Sequence, residues 1–194
     1  MASNNFSVIY DACVLYPNAL RDFLMWLSLE GFYKAKWTRM IHDEWTRNLN
    51  KNHPQTCTLE KLEKIVSTMN TAVPDALIEG FEDLIPSVSL PDPDDRHVLA
   101  AAIKEKAQVI VTDNISDFPT PDVAKWDVEA QTADDFVLNC WNIAPAAVVN
   151  ALTNMSNNKK HPPMSVLEII EKLMALSPGL KKSMRIVKGE LYGF

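Results

Sequence analysis

Five carboxylates stand where the backbone pattern would bring them together: Asp11, Glu44, Asp95, Asp113 and Asp117. The stretch FSVIYDACVL runs apolar from Phe6 to Tyr10 and breaks at Asp11. A carboxylate at the tip of a buried strand is costly to place unless something positive meets it. The stretch AQVIVTDN repeats the arrangement, with an apolar strand over 109–112, Asp113 at its end and Asp117 in the same loop. Asp95 heads a helix on which Leu99 and Ala102 share its face, so an inward Leu99 aims Asp95 over the strand ends. Glu44 borders an apolar helical stripe containing Ile41 and Trp45.

Each acid alone has an ordinary reading. Asp95, or its neighbour Asp94, can cap a helix. Asp113-Asn114 can be a turn, and Glu44 a solvated charge. Together they would repel one another unless protonated or met by a cation. Oxygen donors without clustered His or Cys select Mg²⁺ or Mn²⁺, with Asp11, Asp95 and Asp113 or Asp117 as expected ligands. Such an ion acidifies a water and neutralises phosphoryl charge. Hydrolysis of a phosphodiester or phosphate ester is the chemistry expected.

The elements that must position these acids follow from periodicity. A strand is expected over 6–10. Helices are expected over 18–29, 38–50 and 58–70, the last turning Leu59, Leu62, Val66 and Met69 inward. A short helix near 75–80, a short strand within 83–89 and a Pro91-Asp92-Pro93 turn come next. A helix to 106 follows, with strands over 109–112 and near 128. Strands joined by helical crossovers imply a three-layer α/β/α sandwich with a central parallel sheet. Ligands of such sheets bind beyond the carboxyl ends of the strands.

After Gln131 the pattern is helical only. Thr132 caps one helix, Pro145 opens another in its first turn, and Ser165 with Glu168 forms a capping box for a third. The stretch NMSNNKKHPPM reads as a loop whose Lys159, Lys160 and His161 could meet a polyanion. Two units result, 1–130 and an all-helical extension over 131–194.

Charge divides along the same line. The 194 residues carry a net −6. Residues 1–130 hold 12 Lys and Arg against 20 Asp and Glu, a net −8, whereas residues 131–194 hold 7 against 5, a net +2. With 5 glycines and no GxGxxG or GxxxxGK[ST] pattern, the sequence argues against a glycine-rich phosphate loop. Cys13, Cys57 and Cys140 form no CxxC pair, which argues against a disulfide framework or zinc site and fits a reducing cytoplasm. Cys13 reads as a small buried residue. No apolar run approaches the ~20 residues of a membrane span, and neither a signal peptide nor a membrane association is expected.

The segments VIYDACVLYPNALRD, WTRMIHDEWTRNL and PDPDDRHVLAAAIKEKAQVIVTDNISDFP resemble the motif blocks of PIN-domain proteins. Best known among these are the toxin ribonucleases of VapBC-type toxin–antitoxin modules. The resemblance covers about residues 6–130, and the helical tail resembles an extension carried by one subfamily. It implies an acidic quartet of Asp11, Glu44, Asp95 and either Asp113 or Asp117, with Asp94 as second choice to Asp95. Thr112 and Asn114 match polar residues beside the metal. The implied activity is metal-dependent RNA cleavage, with a small antitoxin covering the acidic groove. A homodimer is left open. Phosphate contacts would fall to Arg21, Lys34, Lys36, Arg39, Arg47 or the basic tail. Trp37 and Trp45 either stack on bases or pack in the core.

Other families fit less well. Haloacid-dehalogenase-type phosphatases need a second acid where Asp11-Ala12-Cys13 has none. Toprim nucleases need DxD where Thr112-Asp113-Asn114 stands, and response-regulator receivers need a Lys this chain lacks. A non-catalytic PIN-like module binding RNA or a partner, and a housekeeping RNA-processing nuclease, stay open.

Overall fold

A computed structural model of the chain describes residues 6–176 and 178–193. From β1 (Ser7–Tyr10) the chain passes through α1 (Ala12–Leu15) and α2 (Asn18–Ser28) to β2 (Lys34–Thr38). Next, α3 (Arg39–Asn52) and α4 (Leu59–Ala72) lead to β3 (Leu77–Ile78). Short 3-10 turns at Glu82–Ser87 and Pro93–Asp95 precede α5 (Arg96–Glu105) and β4 (Val109–Val111). A 3-10 turn at Ile115–Asp117, α6 (Thr120–Val123) and another turn at Ala124–Trp126 lead to β5 (Glu129–Gln131). The extension is α7 (Ala133–Ile143), α8 (Pro145–Asn158), α9 (Val166–Met174) and α10 (Lys181–Tyr192).

The five strands are all parallel, in the order β3-β2-β1-β4-β5. The order reverses direction between β1 and β4, so their carboxyl ends flank the topological switch point, where open α/β sheets bind ligands. Register pairs Tyr10 with Val111. The Asp11 amide then donates to the Val111 carbonyl at 3.1 Å, which carries the ladder one residue beyond β1. Val8, Ile9 and Tyr10 are all buried. That is why β1 reads as an unbroken apolar run: a parallel strand with both faces covered has no side to show water.

Four local expectations fail. The stretch KAKWT forms β2 where no strand was expected. Its exposed Lys34 alternates with buried Ala35 and Trp37, a half-buried pattern that two lysines disguise. The segment expected as a helix near 75–80 is the short strand β3, and the strand expected within 83–89 is a 3-10 turn containing Pro86. Leu59, placed inward by periodicity, is 63% exposed at the first turn of α4, while Leu62, Val66 and Met69 are buried.

Caps fall largely where side-chain chemistry puts them. Thr38, Thr58 and Thr132 each accept an amide at the N-terminus of their helices, and Ser165 with Glu168 forms a complete capping box. In the extension α7 packs on α8 and α10, α8 on α9, and α9 on α10. The unit docks on α2 through α8. Lys159 pairs with Asp22, Asn150 donates to Glu30 at 3.1 Å, and Phe136 sets its ring edge-on to Tyr10 and Tyr33. No single helix among the described residues is long and apolar enough to cross a membrane.

Under the sheet edge, His42 is enclosed between Trp37 and Trp45, and its Nδ1 accepts the Trp45 indole N–H at 3.0 Å. Burial pushes its pKa down to about 4. The native state therefore holds His42 neutral while the unfolded chain binds a proton below about pH 6.5. This contribution to stability is intact above that pH and is lost as pH falls towards 4, by roughly 2 kcal/mol at pH 5. A His42→Asn variant should show a shallower loss of denaturant midpoint between pH 7 and 5 than wild type. Parallel curves would contradict the assignment.

Candidate active site

The site is built at the ends of β1 and β4. Asp11 is 2% exposed. Its Oδ1 accepts the Ala12 amide, which starts α1, at 2.6 Å. Its Oδ2 accepts the Thr112 hydroxyl at 2.7 Å and the Cys13 thiol at 3.0 Å. Thr112 is also fixed by accepting the Asn114 amide at 3.1 Å, and Cys13 Sγ accepts the Asp113 amide at 3.2 Å. Two adjacent strand ends are thus laced together around one carboxylate. Despite these donors, the Asp11 pKa is raised, chiefly by burial and further by Glu44.

Above Asp11 opens a cleft of about 560 Å³ whose walls include Glu44, Asp95 and Asp117, with Asp43, Asp92 and Asp94 around them. Asn114 and Arg47 also line it. Helix α3 supplies Glu44, the start of α5 supplies Asp95, and the 3-10 turn after β4 supplies Asp117. Taken alone, Asp95 has the ordinary reading of a helix cap, against its reading as a site acid. It does occupy the N-cap position of α5, but its backbone is already helical and its side chain makes no capping bond. Asp92 caps the preceding turn instead, accepting the Asp94 amide at 2.8 Å. That leaves the Asp95 carboxylate free to face the other acids. Its pKa is pushed up to about 7, first by burial and then by repulsion from Asp11, Asp92, Asp117 and Glu44.

Asp113 and Asp117 divide by geometry. Asp117 lines the cleft. The Asp113 carboxylate accepts the Ala133 amide at 3.2 Å, at the start of α7. Its pKa is raised by burial, with that bond pulling down and the Asp11 and Asp134 charges pushing up. Asp94 lies on the cleft wall and is exposed.

Several expected contacts are corrected. Arg21 is buried, with its guanidinium donating to the Leu15 and Tyr16 carbonyls and to Asn18 and lying 4.6 Å over the Trp45 ring. It braces α1 against α3 and is not placed to hold a phosphate. Lys36 pairs with Glu105, and Arg39 with Asp43 and Glu63. Trp37 and Trp45 are core residues. Conversely, two participants escape a reading of the sequence. Cys13 touches Asp11, Thr112 and Asp113, and only its place two residues after Asp11 hints at this. His97, buried, lies with Nε2 3.7 Å from Glu44 Oε2 on the cleft wall, two residues after Asp95.

The donors present are hard oxygens, the type that Mg²⁺ and Mn²⁺ select. Among the described residues no three His, Cys, Asp or Glu groups are placed to hold a metal ion together. That matches how Mg²⁺ is commonly held, by one or two carboxylates with waters and substrate phosphates completing its shell. Asp11 and Asp95 would be the one or two carboxylates of such an open site, and the raised Asp95 pKa marks the repulsion an ion would relieve.

This repulsion has a sign that stability can report. Asp95 in the native state keeps its proton to about pH 7, whereas the unfolded chain releases it near 3.8. The native state therefore binds more protons in that window, and its stability falls as pH rises from 4 to 7. In EDTA, Asp95→Asn should melt higher than wild type at pH 7.5, with the advantage shrinking towards pH 4. A variant that melts lower at pH 7.5 would contradict the repulsion.

Comparison with known proteins agrees with this geometry. Residues 7–116 match the family model of the PIN domain, and residues 133–185 match that of the VapC50 C-terminal domain. Over 111 residues the chain is 32% identical to the curated protein named "Putative ribonuclease VapC50" from Mycobacterium tuberculosis (strain ATCC 25618 / H37Rv), a match spanning 55% of this chain and 65% of that relative. The match therefore covers just under two thirds of the relative's length. No solved structure matches the chain significantly. With the PIN model spanning more than half of its residues, and its carboxylates gathered at the switch point of a parallel sheet, this chain belongs to the PIN-domain family.

Proposed function

We propose that this protein is a divalent-metal-dependent endoribonuclease, the toxin of a toxin–antitoxin module, acting in the cytoplasm. One observation carries the reading: Glu44, Asp95 and Asp117 line one cleft from three separate segments, and the buried Asp11 joins Glu44 and Asp117 in raising the pKa of Asp95. Repulsion of this kind costs stability and is understandable where a cation is part of the working state. The PIN-domain match and the ribonuclease relative support RNA as the substrate.

In this reading Asp11 and Asp95 would hold Mg²⁺ or Mn²⁺, with Asp117 on the cleft wall beside them. The ion supplies Lewis acidity, neutralising charge on a phosphoryl oxygen and acidifying a water. Glu44 orients the attacking water from the α3 wall. Thr112 and Cys13 fix the rotamer of Asp11 by occupying Oδ2. Asp113 is a supporting acid tied to α7, and Asn114 offers a neutral amide at the rim. A small antitoxin with basic side chains would complement the same acidic cleft.

The test is cleavage of single-stranded RNA by the purified chain with Mg²⁺ or Mn²⁺, and with EDTA as blank. Asp11→Asn removes a charge and almost no volume. It should fold yet lose at least ~10²-fold in rate, more than the 10–100-fold typical of residues that only support a ligand. Asp94→Asn should act more mildly. Cleavage that persists in EDTA, or full activity in Asp11→Asn, would overturn the mechanism. Binding of RNA without cleavage by wild type would replace it with a non-catalytic module.

A further inference from the structure

We propose that the helical extension is the RNA-docking wall of this protein, with Lys181 and Arg185 of α10 holding backbone phosphates of a single strand that enters the acidic cleft. The proposal rests on the ribonuclease reading and assigns the extension a role within it.

The cleft presents a problem for a polyanion. Its walls are acidic, and the unit that builds it carries a net −8. Five of the 12 cations of that unit are committed elsewhere. Arg21 is buried, and Lys36, Arg39, Lys64 and Lys125 form ion pairs. Lys34 and Lys106 lie at the opposite ends of the strands, where β2 begins and where α5 turns towards β4. Arg47 is the basic residue on the cleft wall. A bound ion neutralises charge at one point, but the flanking phosphates still need cations.

The extension begins beside the site. The Ala133 amide donates to Asp113. The next residue, Asp134, accepts the backbone amides of Lys182 and Ser183 at 2.8 Å each, and the Ser183 hydroxyl at 2.6 Å. Two hydrogen-bonded links therefore join the N-terminus of α10 to an acid of the site, which holds the Lys182 amide within ~13 Å of the Asp113 carboxylate. The acids at this junction are already engaged: Asp134 caps α10, and Asp135 pairs with Lys182.

Along α10, Ser183, Met184 and Val187 face inward. Lys181 and Arg185, one helical turn apart, are exposed and share a face. Neither forms an ion pair among the described residues. Lys188 continues the row and pairs with Glu171 at 3.0 Å. Glu190, nine residues after Lys181, falls on the opposite side of the helix. Two cations without ion pairs, on a helix tied through Asp134 and Ala133 to Asp113 at the end of β4, complement a polyanion that must reach the acidic cleft.

The experiment compares two charge-matched variants of the full chain. One carries Lys181→Gln with Arg185→Gln, the other Lys34→Gln with Lys106→Gln. Binding of a single-stranded RNA is measured against salt in an Asp95→Asn background, where bound RNA is not consumed. The α10 variant should bind roughly tenfold more weakly at low salt and lose about 1.4 from the salt slope, two contacts' worth for a single strand. The control pair should change neither. In the wild-type background, kcat/KM on a long RNA should fall with the α10 changes while that on a dinucleotide stays constant. An unchanged slope, an equal effect of the control pair, or an equal loss on the dinucleotide would overturn the proposal. If wild type binds RNA with the expected slope and cuts none, the docking wall stands and the nuclease reading falls.

Discussion

A carboxylate with 2% of its surface exposed closes β1, and the site is arranged around it. Burying Asp11 carries a desolvation cost. The fold meets part of that cost with three donors, the Ala12 amide, the Thr112 hydroxyl and the Cys13 thiol. These donors come from both strands of the switch point, so the same bonds that settle Asp11 also fix β1 against β4 above the last ladder pair. They do not cancel the cost, because Glu44 adds repulsion and the Asp11 pKa stays raised. Asp95 sits in the same field, and its own pKa reaches about 7. Local structure elsewhere yields to this arrangement: Asp92 takes over capping, and Asp95 is left free.

The division of charge along the chain follows the division of structure. The sheet unit concentrates acids, whereas the extension is mildly basic and is fastened to the sheet unit at several points. Phe136 packs edge-on to Tyr10 and Tyr33, Lys159 pairs with Asp22, and Ala133 donates to Asp113. The last of these joins the extension to the site itself. An element whose first amide holds a site acid, and whose second residue caps the terminal helix, is tied to the candidate site as much as to the scaffold.

Much of this was legible in the residues. Apolar runs ending in Asp11 and Asp113 exposed the parallel strands, because burial on both faces removes alternation. Thr132, Pro145 and Ser165 announced the helices of the extension through their capping chemistry. What stayed hidden was set by tertiary context. In KAKWT the lysine at 36 reaches Glu105 and the Asp75 carbonyl, so a strand wears the composition of a surface segment. Arg21 looked like a phosphate ligand because nothing local reveals that its guanidinium is spent on the carbonyls ending α1. Cys13 looked inert because its partners lie 99 and 100 residues away. The difference between Asp113, which accepts the Ala133 amide, and Asp117, which lines the cleft, is tertiary, and no spacing rule supplies it.

The central claim is that the strand-end carboxylates are the seat of a divalent cation. Paramagnetic broadening by Mn²⁺ in the amide NMR spectrum tests it most directly, since it locates the ion without depending on turnover. At substoichiometric Mn²⁺, the amides of Ala12, Asp113 and Asn114, with those at the start of α5, should broaden first, and excess Mg²⁺ should restore them. Broadening that is diffuse over the acidic surface, or centred on another element, or unchanged in Asp11→Asn, would contradict the account.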